Sequence, residues 1–493
     1  MRRAVLLTAT AVLLLTPTVL AFFSGGYFDE PRLIATLTVW SLVLLVAVAG
    51  SRPLPASAPG RAALAGLALL TIWTAASVFW APLSDPATDS AVRLVLYLGA
   101  FVAAAALLRD ELSARAVEPA LAAGALVVIG YGLSERLLPG LVDLAESAKA
   151  FGRLEQPITY WNAEGALAAI GLVLCARLAG ARDRPTAVRA LAAAAAVPLG
   201  LGVYLSYSRG AIAAALVGLV VLLAAAPTWS QLRATALAVA GSVVAGACAA
   251  AFSGVASLSG SLGDREADGA AMLAILIVLM AAAGVLQLRL IRAEERGTAA
   301  TGRMRAAGRL PAVAAAALAI GLVVLVAGGL AERGRGDEQE RRRGVSRLAS
   351  VESRRYDYWR AGLDAYSEHP LRGIGAGGFR VEWLRERPVR EGALEVHSLP
   401  LEMLVELGLP GVLGFSLMVG GVAVAGRRAL RRNPLLAPGA CAVATVWLLH
   451  ASIDWDWQLP AVTLPALIAA GALVAAAEQP VRAATERSAG SGA

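Results

Sequence analysis

Apolar runs of about 20 residues, separated by short charged loops, recur along almost the whole chain. Each run is long enough, as a helix, to cross ~30 Å of hydrocarbon. In lipid the backbone must satisfy its own hydrogen bonds, so these runs are read as helices. Composition agrees: of 493 residues, 58% are hydrophobic and only 16% charged, where a soluble chain carries about a quarter charged. The expected fold class is an all-α polytopic membrane protein with about 12–14 spans.

Fourteen spans are expected, near 4–23, 33–50, 62–80, 90–108, 118–134, 161–178, 187–206, 209–226, 234–252, 270–290, 311–331, 409–426, 435–453 and 459–477. Only a tight turn at Arg209 divides the seventh from the eighth. The first run follows Met1, Arg2 and Arg3 and is read as a retained helix with a cytoplasmic N-terminus. Cys175, Cys248 and Cys441 lie singly in apolar stretches and read as small buried hydrophobes.

Loop charge orients the chain. One set of alternate loops carries arginines, among them Arg52, Arg109, Arg115, Arg182, Arg184, Arg292 and Arg427; the other carries Asp29, Glu30, Asp85, Asp89, Asp143 and Asp454. The positive-inside rule assigns the first set to the cytoplasm. Both termini then fall on that side, as an even number of spans requires. The net charge of +8 is thereby explained by topology and anionic headgroups rather than by nucleic acid. Residues 1–331 read as eleven spans, 332–398 as a large charged extracytoplasmic loop, 399–478 as a surface helix and three spans, and 479–493 as a disordered cytoplasmic tail.

The loop contains the chemistry-bearing residues. Its first part, Glu332 to Arg347, reads as a solvated charge run, and Arg354 to Tyr366 as an aromatic, helix-compatible stretch. Pro370 and the glycines from Gly373 to Gly378 force turns. Ser398 is placed to cap a short helix to about Leu407, which Gly408, Pro410 and Gly411 then break. His397 at its start reads on its own as a polar helix-start residue, or as an imidazole able to accept a proton from a hydroxyl. Arg209, at a span end, and Arg355, in the loop, offer bidentate guanidinium groups suited to a diphosphate, or to a headgroup contact or an ion pair with a loop carboxylate. Arg93 and Arg153 lie near the same face and read as snorkelling to the interface. Trp455 and Trp457, around Asp454 and Asp456, read as interface or sugar-stacking aromatics.

His397 and Ser398, followed after nine residues by Gly408 and after two more by Gly411, resemble the histidine motif of the O-antigen ligase family. Ser206 to Arg209 is similar to that family's arginine-bearing helix end, and Arg355, Trp359 and Glu368 through Phe379 to its long loop. Gly152 to Asn162 resembles the segment before a middle span, and His450 to Asp454 the end of the penultimate one.

The resemblance implies a GT-C-like fold and an inverting, metal-independent transfer of a glycan from a polyprenyl (undecaprenyl) diphosphate donor, without cofactor, in cell-envelope polysaccharide biosynthesis such as that of lipopolysaccharide. It implies His397, Arg209 and Arg355 as catalytic, and Arg153, Asn162, Trp359, Arg372, Asp454 and Trp455 as substrate-binding. The acceptor is a lipid-anchored sugar, a growing glycan or a protein. Membrane lipids, not nucleic acid, are the other partners, and the site is the cytoplasmic (inner) membrane's outer face. A reading of another class, a transporter or lipid flippase, predicts inverted repeats and mid-bilayer charges; the polar residues cluster at the outer face instead.

Overall fold

The computed structural model describes residues 2–49, 53–145, 147, 149–300, 302, 355–388 and 390–480. They form an all-helical polytopic membrane protein. Helices α1 (Arg2–Ala21), α2 (Asp29–Val48), α3 (Ala58–Ser77), α4 (Ser84–Leu107), α5 (Glu111–Leu137), α6 (Trp161–Gly180), α7 (Thr186–Leu205), α8 (Arg209–Ala225) and α9 (Trp229–Ala250) come first. The short α10 (Ser253–Ala256), α11 (Leu262–Glu295), α12 (Arg355–Glu368), α13 (Phe379–Glu386), α14 (Leu399–Arg432), α15 (Ala437–Ala451) and α16 (Pro460–Glu478) follow. Among the described residues eleven helices are long and apolar enough to span a membrane, and α8 and α15 are shorter apolar helices. Each of the expected runs therefore appears as a helix except 311–331, which lies outside the described residues, as do the Glu332–Arg347 charge run and the tail from Arg482.

α6 and α16 form the centre, with almost every residue buried. Close backbone crossings hold the surrounding helices to one another. On α3, a Cβ at Gly66 would stand 2.4 Å from Met418 N of α14; at Gly421, one would stand 2.5 Å from Ala63 N. Small residues at such crossings let two apolar helices gain dispersion contact where no hydrophobic drive separates protein from lipid.

The bundle has two polar ends. One gathers the connections α1–α2, α3–α4, α5–α6, α7–α8 and α15–α16 together with α12, α13 and the start of α14. The other is basic: Arg115 meets Asp183 at 3.0 Å, and Arg177 and Arg184 meet Glu118 at 3.5 and 3.1 Å.

α14 is two helices joined at Gly408, whose φ is 63°. The break leaves carbonyls without helical partners, and each finds another. Ile374 N donates to Val405 O at 3.0 Å, Gly375 N to Glu406 O at 2.9 Å, and Trp73 Nε1 to Leu407 O at 2.9 Å. The Glu406 carboxylate accepts from Gly377 N at 2.8 Å. The glycine turn is thus stitched onto the break. At Gly373, φ 73°, a Cβ would stand 2.3 Å from Glu406 O, so only glycine fits. Ser398 departs from expectation: it precedes the helix, but its hydroxyl makes no cap bond. Its carbonyl accepts from Glu402 N at 2.8 Å instead.

Candidate functional site

Asp454, between α15 and α16, is the hub, with its side chain 1% exposed. Oδ1 accepts from the Tyr160 hydroxyl at 2.7 Å and from Trp455 N at 2.9 Å. Oδ2 accepts from Asn162 Nδ2 at 2.8 Å and from the Arg355 guanidinium at 2.5 Å. The start of α6 and the start of α12, both distant in sequence, therefore converge on one carboxylate. Burial alone would raise the Asp454 pKa, but Arg355, with the nearby imidazoles, holds it below its ordinary value. Tyr160 is pushed well above the usual phenol range by burial and then by Asp454, so its hydroxyl remains a donor.

His397 stands beside this hub. Its ring lies 5.1 Å from the Tyr358 ring and 6.5 Å from that of Trp455. Nδ1 is 2.8 Å from Glu395 O. A carbonyl only accepts, so Nδ1 carries the proton and Nε2 of the neutral ring keeps its lone pair. Burial depresses its pKa, Asp454 and the Glu395 carbonyl oppose the fall, and the net direction is down. The backbone there is left-handed, φ 59°, a conformation costly for a non-glycine residue and concentrated at functional sites.

Arg209 is the first residue of α8. Tyr207, φ 48°, turns the chain sharply after α7, and Ser208 Oγ caps α8 by accepting from Ala211 N at 3.2 Å. That hydroxyl lies 3.4 Å from His450 Nε2, and His450 Nδ1 meets Asp456 Oδ2 at 2.5 Å. A buried Asp456–His450–Ser208 chain thus fixes the helix start that presents Arg209. The Arg209 and Arg355 guanidiniums lie close enough to repel each other, and Arg355 also acts electrostatically on His397. His397 and Arg355 therefore meet beside Asp454, and Arg209 stands near Arg355 at the same end of the bundle.

An aromatic wall runs through the site. Arg153 lies over the Trp161 ring at 3.5 Å; the Trp161 and Tyr160 rings are 5.0 Å apart, Tyr160 and Trp455 4.5 Å, and Trp455 and Tyr27 5.8 Å. Arg153 is buried, its Nε donating to Ala150 O at 2.5 Å and a terminal nitrogen to Lys149 O. It braces its loop rather than snorkelling. Trp359 packs with Tyr358, Phe379 and Trp383 under the loop helices, and Arg372 lies over Trp80 at 5.9 Å; neither joins the Asp454 hub. Arg93 does not snorkel either: it is 6% exposed, inside the protein. Trp457 is core, 2% exposed, with its ring 4.8 Å from Tyr97.

Sequence reasoning missed Tyr160, Glu395 and Gln458. Tyr160 stands two residues before Asn162, and both reach Asp454. Glu395 and Gln458 carry no such hint; Gln458 Nε2 donates to Glu395 at 3.0 Å and Glu402 at 2.8 Å across 63 and 56 residues of chain. Among the described residues no group of three His, Cys, Asp or Glu side chains is arranged to hold a metal.

Residues 266–416 match the family model described as O-antigen ligase. None of the curated proteins matches the chain. The matched segment holds Arg355, His397, Gly408 and Gly411; Arg209, Asn162 and Asp454 lie outside it.

Proposed function

We propose that the chain, whose residues 266–416 match the family model described as O-antigen ligase, is a membrane glycosyltransferase of that kind and transfers a glycan from a polyprenyl-diphosphate-linked donor to an acceptor hydroxyl. The observation that carries this reading is the meeting of His397 and Arg355 at Asp454 with Arg209 near Arg355.

Two guanidiniums that repel each other in a partly buried place are stabilised by an anion between them, and a departing diphosphate is such an anion. Asp454 fixes the orientation of Arg355. The neutral His397 Nε2 takes the proton of the acceptor hydroxyl as its oxygen bonds to the anomeric carbon. The bond from that carbon to the phosphate oxygen breaks, and polyprenyl diphosphate leaves with the electron pair. Attack opposite the leaving group inverts the anomeric centre. Trp455 and Tyr160 supply aromatic faces for sugar rings. The opposite end of the bundle carries the short arginine-bearing connections, which supports a cytoplasmic position for it and an extracytoplasmic position for the site.

The test uses purified protein in nanodiscs with a polyprenyl-diphosphate-linked glycan and, separately, a lipid-anchored sugar, a glycan or a peptide acceptor. Acceptor-dependent release of polyprenyl diphosphate is expected with one of them, and none from His397→Ala. Movement of intact donor between leaflets without release would make the protein a flippase instead.

A further inference from the structure

Next to the Asp454 hub lies a separate cavity of about 210 Å³, lined by Tyr27, Arg32, Ser90, Arg93, Arg380 and Glu395 among others. At about 30 Å³ per water it has room for roughly seven waters, the scale of one sugar ring rather than an oligosaccharide. It adjoins the site on two sides. The Tyr27 ring packs against Trp455, and Glu395 is the residue whose carbonyl holds His397.

Its three guanidiniums are not equivalent. Arg32 is gripped by Asp29 and by Asp89, the latter at 3.3 Å. Arg380 stands 3.6 Å from Glu395. Arg93 has no such partner. It donates to Ser90 Oγ at 3.0 Å, its Nε is buried without an acceptor, and among the described residues no carboxylate stands within ion-pair distance. A guanidinium this buried (6% exposed) is costly without a counter-charge. Glu395 does not supply one: burial and the neighbouring Glu402 push its carboxyl up to about 8, so near neutrality it is protonated. Arg32 is thus met by Asp29 and Asp89, Glu402 feels Arg93 and Arg380 only from beyond ion-pair distance, and Arg93 is left as the buried guanidinium of this cavity without a paired carboxylate.

We propose that this cavity receives a negatively charged group, a carboxylate or phosphate, borne on a sugar of the acceptor. The proposal rests on the transferase reading for the word acceptor; the cavity's preference for an acidic sugar stands by itself. Arg93 binds the anionic group, Arg380 supports it, and the Tyr27 and Ser90 hydroxyls meet the ring. An acceptor anchored there presents its hydroxyl beside His397.

Wild-type protein in phosphatidylcholine nanodiscs is titrated with glucuronate, glucose 6-phosphate, glucose and inorganic phosphate by calorimetry. The two acidic sugars are expected to bind about tenfold or more tightly than glucose, as one added charge-assisted contact implies. Arg93→Gln is expected to abolish that preference and Arg380→Gln to reduce it. His397→Ala is expected to keep it, so failure of transfer and failure of this site are read separately. Equal binding of glucose, or an unchanged preference in an Arg93→Gln protein with a wild-type thermal transition, overturns the proposal. So does inorganic phosphate binding as tightly as glucose 6-phosphate, which means an adventitious ion only. Loss of the preference in phosphatidylglycerol nanodiscs assigns the cavity to a lipid headgroup and also overturns it. If Arg93→Gln does not fold, Arg380→Gln, at a partly exposed position, carries the test.

Discussion

The two polar ends of the bundle use the same residue types in opposite ways. At the basic end each buried carboxylate sits between cations: Glu118 between Arg177 and Arg184, and Glu294 between Arg189 and Arg233, both at 2.9 Å. Other guanidinium nitrogens end on backbone carbonyls, Arg177 on Leu435 O at 2.7 Å and Arg189 on Ala179 O at 3.0 Å. Glu478 closes the same face by accepting from Ala56 N at 2.8 Å and Ser57 N at 2.9 Å. Charge there ties helix ends together. At the other end Arg93 lacks a carboxylate, Glu395 is pushed toward its neutral form, and His397 keeps an open Nε2 on a left-handed backbone. The difference teaches where charge is structural and where it is held ready for a ligand. Buried carboxylates each paired with two guanidiniums mark the first, and a buried guanidinium with no paired carboxylate marks the second.

Substitutions separate the two roles. The largest effect is expected from His397→Ala, which removes the base: acceptor-dependent release of polyprenyl diphosphate should fall about 10³-fold or more, with the thermal transition of the protein unchanged. Wild-type turnover by that variant breaks the comparison, because the incomplete end would then be no more chemical than the complete one. Next is Glu118→Gln at the basic end. Removing one partner of a buried network leaves Arg177 and Arg184 uncompensated, so stability should drop by about 3 kcal/mol while turnover per folded molecule stays the same. A loss of turnover without a loss of stability would show that the basic end takes part in the reaction. Arg355→Ala follows, with an expected fall of about 10²-fold in turnover by analogy with the removal of one oxyanion donor; full activity would remove this guanidinium from the diphosphate.

The fold was legible wherever a single physical constraint acts on a contiguous stretch. Hydrocarbon thickness sets the length of each run, and the break at Gly408 followed from a local cluster of Gly and Pro. His397, Arg209 and Arg355 were legible as ordered motifs. What was not legible is long-range pairing. The charge on Arg93 reads identically whether the side chain reaches the interface or turns inward, and only the packing of α4 against its neighbours decides that it is buried. Trp455 and Trp457 are two residues apart with the same local surroundings; one joins the site and the other packs on Tyr97. The Glu395–Gln458–Glu402 triad joins the loop, α14 and the α15–α16 turn, which no pattern along the chain announces.

The smallest expected effect, and the one that sharpens the comparison most finely, is on the pH profile. His397 acts as a base only when neutral, so turnover must fall as pH drops through the imidazole pKa. Burial disfavours the imidazolium and moves that pKa below its ordinary 6.5. The acid limb of the initial rate of polyprenyl diphosphate release, followed between about pH 5 and pH 8, should therefore have its midpoint below 6.5, leaving more than half the plateau rate at that pH. Asp454 opposes the shift by favouring the charged ring, so Asp454→Asn should move the midpoint further down while lowering the plateau through the loss of its hold on Arg355. An acid limb centred above 6.5, or one that moves up in Asp454→Asn, would mean that the titrating group is not this imidazole and that the open nitrogen at the incomplete end is not the base.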